Sequence, residues 1–153
     1  MIKFQTDLDD FMKGIVRVKG VVTVASEMGM EKAMSVFMDD CLNEVPMVLK
    51  RTGRLRASHS IFVNGRLVDT SQVGSMKGTP LTVYPGTWKG DVVEGTLIAN
   101  TPYAIYAHEG YNQWGSFKKY TTEGTGPKWI ESKLIKHMYK YYGIIGNAIR
   151  RAK

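Results

Sequence analysis

The chain has 153 residues, 43% of them hydrophobic, and a formal charge of +7. This length predicts one domain with its own core, and the ordinary hydrophobic content argues against disorder. No apolar run approaches the roughly 20 residues that a membrane-spanning helix needs, and the first residues lack the basic-then-apolar pattern of a secretion signal. Cys41 is the only cysteine, which excludes an internal disulfide and favours synthesis in a reducing cytoplasm.

The charge is distributed unevenly along the chain. Residues 1–49 carry five Lys or Arg and eight Asp or Glu, a net charge of −3, whereas residues 50–153 carry sixteen and six, a net charge of +10. A basic half of this kind can follow a nucleic acid, complement an acidic partner or keep the protein in solution. The sequence leaves these three interpretations open.

The first third of the chain predicts helices. Thr6 can cap a helix with Asp9 in the reciprocal position, and one face of that helix then carries Leu8, Phe11, Met12 and Ile15. The β-branched stretch 16–24 is ambiguous, and we expect the helix to break near Gly20 or Gly29. A clearer helical stripe follows, made of Met30, Met34, Phe37, Met38, Cys41, Leu42 and Val45. Because a proline at 46 cannot donate to the helix ladder, the helix should end or kink near Val45.

The middle of the chain predicts strands. Residues 58–63 and 66–70 flank an Asn-Gly dipeptide, which favours a type I′ hairpin turn because both of its positions need positive φ. Residues 79–84 and 91–99, separated by a Pro-Gly turn, predict two more strands. A small antiparallel sheet of three or four strands has one face to cover, and the amphipathic helices are available to cover it.

The last part of the chain predicts a loop and then a helix. Residues 110–126 hold four glycines and no sustained period, and a loop of that length is usually functional or mobile. Pro127 fits the first position of the final helix, whose apolar face contains Ile130, Leu134, His137, Met138, Tyr141, Ile145, Ala148 and Ile149. The sequence therefore predicts one α+β domain over residues 1–153, with a long N-terminal helix region, a small antiparallel sheet, a long loop at 111–126 and a C-terminal helix packed on the sheet.

A dense basic cluster follows the N-terminal helices: Lys50, Arg51, Arg54 and Arg56. Gly53 lies within this cluster, where helix gives way to strand and glycine can take the left-handed conformation of such a junction. Leu55 is expected in the core. Three uses of the basic cluster stay open: a solvated face, a subunit surface with salt bridges, and the lining of a DNA channel, for which binding would fall steeply with salt.

Aromatic residues mark two further segments. The first combines tyrosine with alanine, as Tyr103, Ala104, Tyr106 and Ala107, and predicts a short helix packed on the sheet. The second interleaves aromatic and basic residues in the loop, as Trp114, Phe117, Lys118, Lys119 and Tyr120. Such loop aromatics can stack on single-stranded bases, cover the sheet or insert into a neighbouring subunit.

The adjacent pair His108-Glu109 suggests a metal or acid–base site, but the surrounding sequence does not support one. A zincin needs His-Glu-x-x-His, and here the fifth position is Asn112. His59 and His137 are distant in sequence, and no nucleophile context or Gly-rich phosphate loop accompanies the pair. We therefore predict no enzyme, no metal and no cofactor, and favour a hydrogen-bonded structural pair or a Glu109 that contacts an arginine across a subunit boundary.

Three short segments occur in a fixed order: Thr-Gly-Arg-Leu-Arg-Ala-Ser at 52–58, Tyr-Ala-Ile-Tyr-Ala-His-Glu-Gly at 103–110, and Gly-Pro-Lys-Trp-Ile at 126–130. Their order and spacing resemble those of the small tail-completion and neck proteins of tailed DNA phages. Members of that family are often described as head–tail joining or minor capsid proteins, and they are similar to the minor tail protein Z of phage lambda. The resemblance covers about residues 25–150, and the loop 111–125 departs from the family pattern.

The resemblance implies a structural protein of the virion neck, made in the bacterial host cytoplasm and assembled as a ring around the DNA channel. The implied partners are further copies of the chain in a hexameric ring, head-completion or stopper, tail-terminator and tail-tube proteins, and packaged DNA without sequence preference, but no membrane. Within that setting, the expected interface residues are Arg51, Arg54, Arg56, Tyr103, Tyr106, His108, Glu109, Trp114 and Phe117. Residues expected to face the DNA channel are Lys50, Lys118 and Lys119. The alternative is a small basic nucleic-acid-binding protein.

Overall fold

A computed structural model of the chain describes residues 4–49, 53–71, 78–88, 90, 92–112 and 114–152, with the side chains of the first helix described from Lys19 onward. The elements in chain order are α1 (Phe4–Asn43), β1 (His59–Val63), β2 (Arg66–Thr70), β3 (Gly95–Ala99), α2 (Ala104–Glu109) and α3 (Trp129–Arg151). A short 3₁₀ turn, Arg56–Ser58, precedes β1. This order confirms the predicted α+β class, with a long N-terminal helix, a small antiparallel sheet and a C-terminal helix.

The helix α1 runs without a break through Gly20 and Gly29, so the predicted interruption is wrong. Gly29 is buried where α1 meets α3, and a Cβ at this position would lie 2.8 Å from the Ile145 Cα and 3.0 Å from the Ala148 Cβ. Glycine here allows two helices to approach closely instead of ending one of them. The helix ends at Asn43, close to the predicted end at Val45.

The strands β1 and β2 form the predicted hairpin. Asn64 and Gly65 have φ values of 52° and 74°, the two positive values that a type I′ turn needs. The strand β3 pairs antiparallel with the other edge of β1, so the strand order is β2-β1-β3. The central strand β1 is buried along its whole length, which means that both faces of the sheet are covered at this strand.

An irregular segment, not a helix, covers the second face of the sheet. Residues 79–84 form no strand, so the prediction of a strand there is wrong. The Ser60 hydroxyl donates to the Leu81 carbonyl at 2.7 Å, and the rings of Phe62 and Tyr84 lie 5.3 Å apart between centroids. These contacts are made by the side chains of β1, so the segment lies across the face of the sheet and does not join its ladder.

The two long helices pack antiparallel and share one core with the first face of the sheet. The core includes Phe37 and Cys41 of α1, Ile61 of β1, and Trp129 and Tyr141 of α3. The rings of Phe37 and Tyr141 meet edge to face at 5.4 Å between centroids. Burial raises the pKa of the Cys41 thiol to about 12, so this cysteine is a packed apolar side chain and not a nucleophile.

The helix α3 begins at Trp129, two residues after the predicted start at Pro127. Lys128 occupies the N-cap position with φ 57°, a left-handed conformation that a helix cannot continue through. Pro127 instead lies beside Gly110, where an added Cβ would be 3.3 Å from the proline ring. Over the described residues, no helix combines the length and the apolar character that crossing a membrane requires.

Candidate docking surface

The three segments that carry the family resemblance come together in the fold. Leu55, Ala107 and Trp129, one residue from each segment, belong to the same buried cluster. Two backbone hydrogen bonds tie the segments to their surroundings: Gly126 N–H donates to the Met47 carbonyl at 3.2 Å, and Lys128 N–H to the His108 carbonyl at 2.7 Å. The segments therefore build the junction between the helices and the sheet.

Two glycines of these segments take the left-handed conformation. Gly53 has φ 68°, as predicted for a junction, and its carbonyl accepts from the Ala57 N–H at 2.9 Å. Gly110 has φ 85° and ends α2, with its N–H donating to the Tyr106 carbonyl. Replacement by any residue with a Cβ would strain the backbone at both positions.

The predicted basic cluster does not form one exposed surface among the described residues. Lys50 and Arg51 lie outside them, and Arg54 is exposed. Arg56 is half-buried, and its guanidinium donates to the Leu42 carbonyl and to the Asn43 Oδ1 at the end of α1. Because the last carbonyls of a helix lack partners inside the helix, Arg56 caps α1. An interface role for Arg54 or Arg56 stays a prediction.

His108 and Glu109 form the hydrogen-bonded pair that the sequence favours, with 2.9 Å between His108 Nδ1 and Glu109 Oε1. Lys128 Nζ donates to Glu109 Oε2 at 2.6 Å and lies 3.1 Å from Glu131. The hydrogen bond from Lys128, and then that from His108, lower the pKa of the Glu109 carboxyl. The His108 ring also packs edge-on against Trp129, at 4.9 Å between centroids. These contacts join the end of α2 to the start of α3.

A second charged cluster, which sequence reasoning missed, lies between α1 and α3. Asp40, Glu44 and His137 bring one ligand atom each to within 4.8 Å of one another, a spacing that could hold a metal ion. Lys140 Nζ donates to Asp40 at 2.8 Å, however, Lys136 pairs with Glu44, and His137 Nε2 lies 2.6 Å from Glu44. The hydrogen bond from Lys136, and then that from His137, lower the pKa of the Glu44 carboxyl to about 2. Since lysines already neutralise both carboxylates, we assign the cluster to helix pairing.

The loop after α2 is ordered by its own hydrogen bonds, and we call residues 110–118 the aromatic loop. Asn112 N–H donates to the Ser116 carbonyl, and Lys118 N–H to the Gly110 carbonyl, both at 2.8 Å. The Asn112 Oδ1 accepts from the backbone N–H groups of Trp114 and Ser116, each at 3.0 Å. These bonds make a small hairpin, so the loop has a defined shape.

The aromatic loop holds large side chains in solvent. Trp114 is 79% exposed and Phe117 is 85% exposed, although the Phe117 ring stacks on Tyr111 at 5.2 Å between centroids. Neither side chain covers the sheet, which leaves docking on a partner or stacking on bases. Ile105 and Tyr106 of the adjoining α2 are also exposed.

The other predicted residues of this region lie close by. Tyr103 is half-buried and packs against the core, so it contributes more to the fold than to the surface. Lys118, the last residue of the aromatic loop, is half-buried, and Lys119, which follows it, is exposed. The Tyr120 hydroxyl donates to the Ala107 carbonyl, which fastens the chain after the loop to α2. The exposed surface therefore combines apolar side chains from α2 and the aromatic loop with one adjacent lysine.

No protein-family model, curated protein or solved structure matches the chain significantly. Two features of the chain itself bear on its function. One is the resemblance carried by the three segments, and the other is the aromatic loop.

Proposed function

We propose that the chain is a structural protein of the neck of a tailed DNA phage, where it forms a ring around the DNA channel and helps to join the tail to the head. The observation that carries this proposal is the aromatic loop, an ordered segment that presents Trp114 and Phe117 to solvent. The three segments of the family resemblance support it, and one residue of each segment, Leu55, Ala107 and Trp129, lies in the same buried cluster.

The aromatic loop has the properties of a protein-docking element. Tryptophan is among the residue types that contribute most to binding at the centre of protein interfaces, and phenylalanine is enriched there. A loop that is already ordered loses little conformational entropy on binding, so more of the contact energy appears as affinity. A head-completion, tail-terminator or tail-tube protein with an apolar pocket is the fitting partner. The chain then acts by assembly and catalyses no reaction.

The test replaces both loop aromatics with serine in the phage that encodes the chain. We expect the Trp114→Ser/Phe117→Ser variant to bind its neck partner about a hundredfold more weakly or worse, because two interface aromatics of this kind together contribute about 3–4 kcal/mol. Electron microscopy of lysates should then show full heads and separate tails in place of joined virions. The infectious titre should fall in parallel.

A matched control separates docking from a general loss of exposed apolar surface. Val83 and Val92 are 75% and 74% exposed and lie outside the aromatic loop. The Val83→Ser/Val92→Ser variant should give joined virions at the normal titre. Normal virions from the loop variant, or purified virions that contain no copy of the chain, would contradict the proposal.

A further inference from the structure

The helix α1 is longer than the domain that it helps to build. Lys140 pairs with Asp40, and Gly29 lies against Ile145 and Ala148, so α3 runs antiparallel to α1. In this register the last turn of α3 lies beside about residue 25 of α1. Residues 4–24, which we call the arm, therefore continue as helix beyond α3 for about 30 Å at about 1.5 Å per residue.

The sequence of the arm is that of a helix that packs on a partner. Its apolar residues recur at alternating steps of four and three: Phe4, Leu8, Phe11, Ile15, Val18 and Val22. A period of about 3.5 residues is typical of a helix that packs lengthwise on another helix. Gly14, Gly20 and the many valines lower helix propensity, so an isolated helix of this sequence would be unstable in water. At the base of the arm, Val22 and Val24 are exposed.

The helix α3 has two apolar faces, and only one of them is buried. The face with Trp129, His137 and Tyr141 is directed at the core and α1. The opposite face, which we call the outer face, consists of residues that are between 39% and 83% exposed: Leu134, Ile135, Met138, Tyr139 and Tyr142. Steps of three and four residues place these side chains side by side, so they form one patch. A contiguous apolar patch of this kind marks an interaction site.

We propose that the arm of one copy packs lengthwise on the outer face of α3 of a second copy. The arm cannot reach the outer face of its own α3, because α1 is one continuous helix that packs on the opposite side of α3 and runs past its end. The contact therefore joins two different surfaces of two chains. Such a heterologous contact generates a ring when its rotation closes.

Charge favours this pairing over a contact between two parallel arms. The first turns of the arm carry Asp7, Asp9 and Asp10, and its later turns carry Lys13, Arg17 and Lys19, so the negative charge is confined to the N-terminal end of the arm. The helix α3 carries five basic residues and one Glu. Lys136 and Lys140 of α3 pair with α1 and Lys133 is buried, but Arg150 and Arg151 in the last turn of α3 are exposed. The acidic end of the arm is attracted to basic α3, whereas two arms aligned in parallel would place like charges side by side along their whole length.

The inference names the contact between copies in the proposed ring, and it rests on that proposal for its biological setting. Its test uses full-length protein with either surface disrupted. The arm variant is Ile15→Asp/Val22→Asp, and the face variant is Ile135→Asp/Tyr139→Asp. We expect the association constant of wild-type protein, measured by analytical ultracentrifugation, to fall by about a hundredfold or more in each variant, because a charge must leave water at the contact.

Mixing the two variants distinguishes a heterologous contact from a symmetric one. The arm variant keeps an intact outer face, and the face variant keeps an intact arm. An equimolar mixture should therefore form a 1:1 dimer and no larger species, although each variant alone stays monomeric. The Val83→Asp/Val92→Asp protein, altered at exposed positions outside both surfaces, should associate like wild type. As a control, all three variants should have the same midpoint of thermal unfolding as the wild-type protein, which would show that their domains are folded.

Three results would overturn the inference: a wild-type protein that stays monomeric at high micromolar concentration, a face variant that still self-associates through its arm, or a mixture that forms no dimer. Failure of the proposed function gives a different pattern. If the mixing experiment succeeds but purified virions lack the chain, the neck proposal fails and the contact stands. If the virions contain the chain but the mixture gives no dimer, the contact fails alone.

Discussion

His59 shows how one buried residue can link stability to pH. Its side chain is fully buried at the start of the central strand, and its Nδ1 lies 3.4 Å from the Arg56 carbonyl. Burial lowers the pKa of this imidazole from 6.5 to about 4, since the charged form would lose its hydration. The ring is therefore neutral in the folded protein at neutral pH.

We expect the free energy of unfolding to fall as the pH drops from 6.5 towards 4. In that window the unfolded chain binds a proton at His59 and the folded chain does not, so acid favours unfolding. The full difference between the pKa of His59 in the unfolded and the folded chain corresponds to a loss of about 3 kcal/mol in the free energy of unfolding, at about 1.4 kcal/mol per pH unit. Urea unfolding of wild type and a His59→Gln variant at several pH values measures this, and the variant should lose the slope that His59 contributes. Equal slopes in both proteins would contradict the assignment.

At the scale of elements, two glycines of α1 have different surroundings, because Gly29 packs against α3 and Gly20 does not. An added Cβ at Gly29 would lie 2.8 Å from the Ile145 Cα, whereas nothing lies within 4 Å of a Cβ at Gly20. We expect Gly29→Ala to destabilise the fold by about 1–3 kcal/mol through overpacking. Gly20→Ala should stabilise helix α1 by about 0.5–1 kcal/mol through propensity alone. Thermal unfolding of both variants gives the comparison, and shifts of the same sign would show that α3 does not pack closely on Gly29.

Some of these elements can be predicted from the sequence and others cannot. The hairpin at 64–65 and the end of α1 near Pro46 are predictable, because Asn-Gly and proline constrain their own backbone wherever they occur. The continuity of α1 at Gly29 is not, because it depends on contact with a distant segment. The segment 79–84 has the composition of a strand, but it packs on the face of the sheet through Ser60 and Phe62, and this contact with a distant segment is not visible in its own sequence.

The candidate docking surface also has features that the sequence predicts and features that only the fold shows. The glycines and aromatic residues of the aromatic loop can be recognised in the sequence. The sequence does not show that the aromatic side chains of this loop stay in solvent instead of packing on the sheet. Arg56 belongs to a run of charge and is expected at the surface, yet the end of α1 lies beside it and accepts its hydrogen bonds. The sequence shows that Arg56 is charged, but only the fold shows which carbonyl accepts its hydrogen bond.

At the scale of the whole molecule, several basic side chains of residues 50–153 form ion pairs or hydrogen bonds within the fold. Lys128 and Lys136 pair with carboxylates, as do Arg66 and Lys140. Lys133 is buried and donates to the Pro46 carbonyl, and Arg56 caps α1. A phosphate backbone must compete with these partners, so the net charge overstates the surface that a nucleic acid can use.

The free protein should therefore bind DNA weakly and with a shallow dependence on salt. Each phosphate neutralised on duplex DNA contributes about −0.9 to the slope of log K against log salt, and we expect a slope no steeper than about −3 for one copy. Filter binding to duplex and single-stranded DNA over a range of salt measures it, with Lys118→Glu/Lys119→Glu as the variant that should bind less. Sub-micromolar binding with a steep slope would instead support the nucleic-acid-binding alternative. In the proposed ring, every copy would repeat the same weak contact around one DNA, and multivalency would make the contact effective only after assembly.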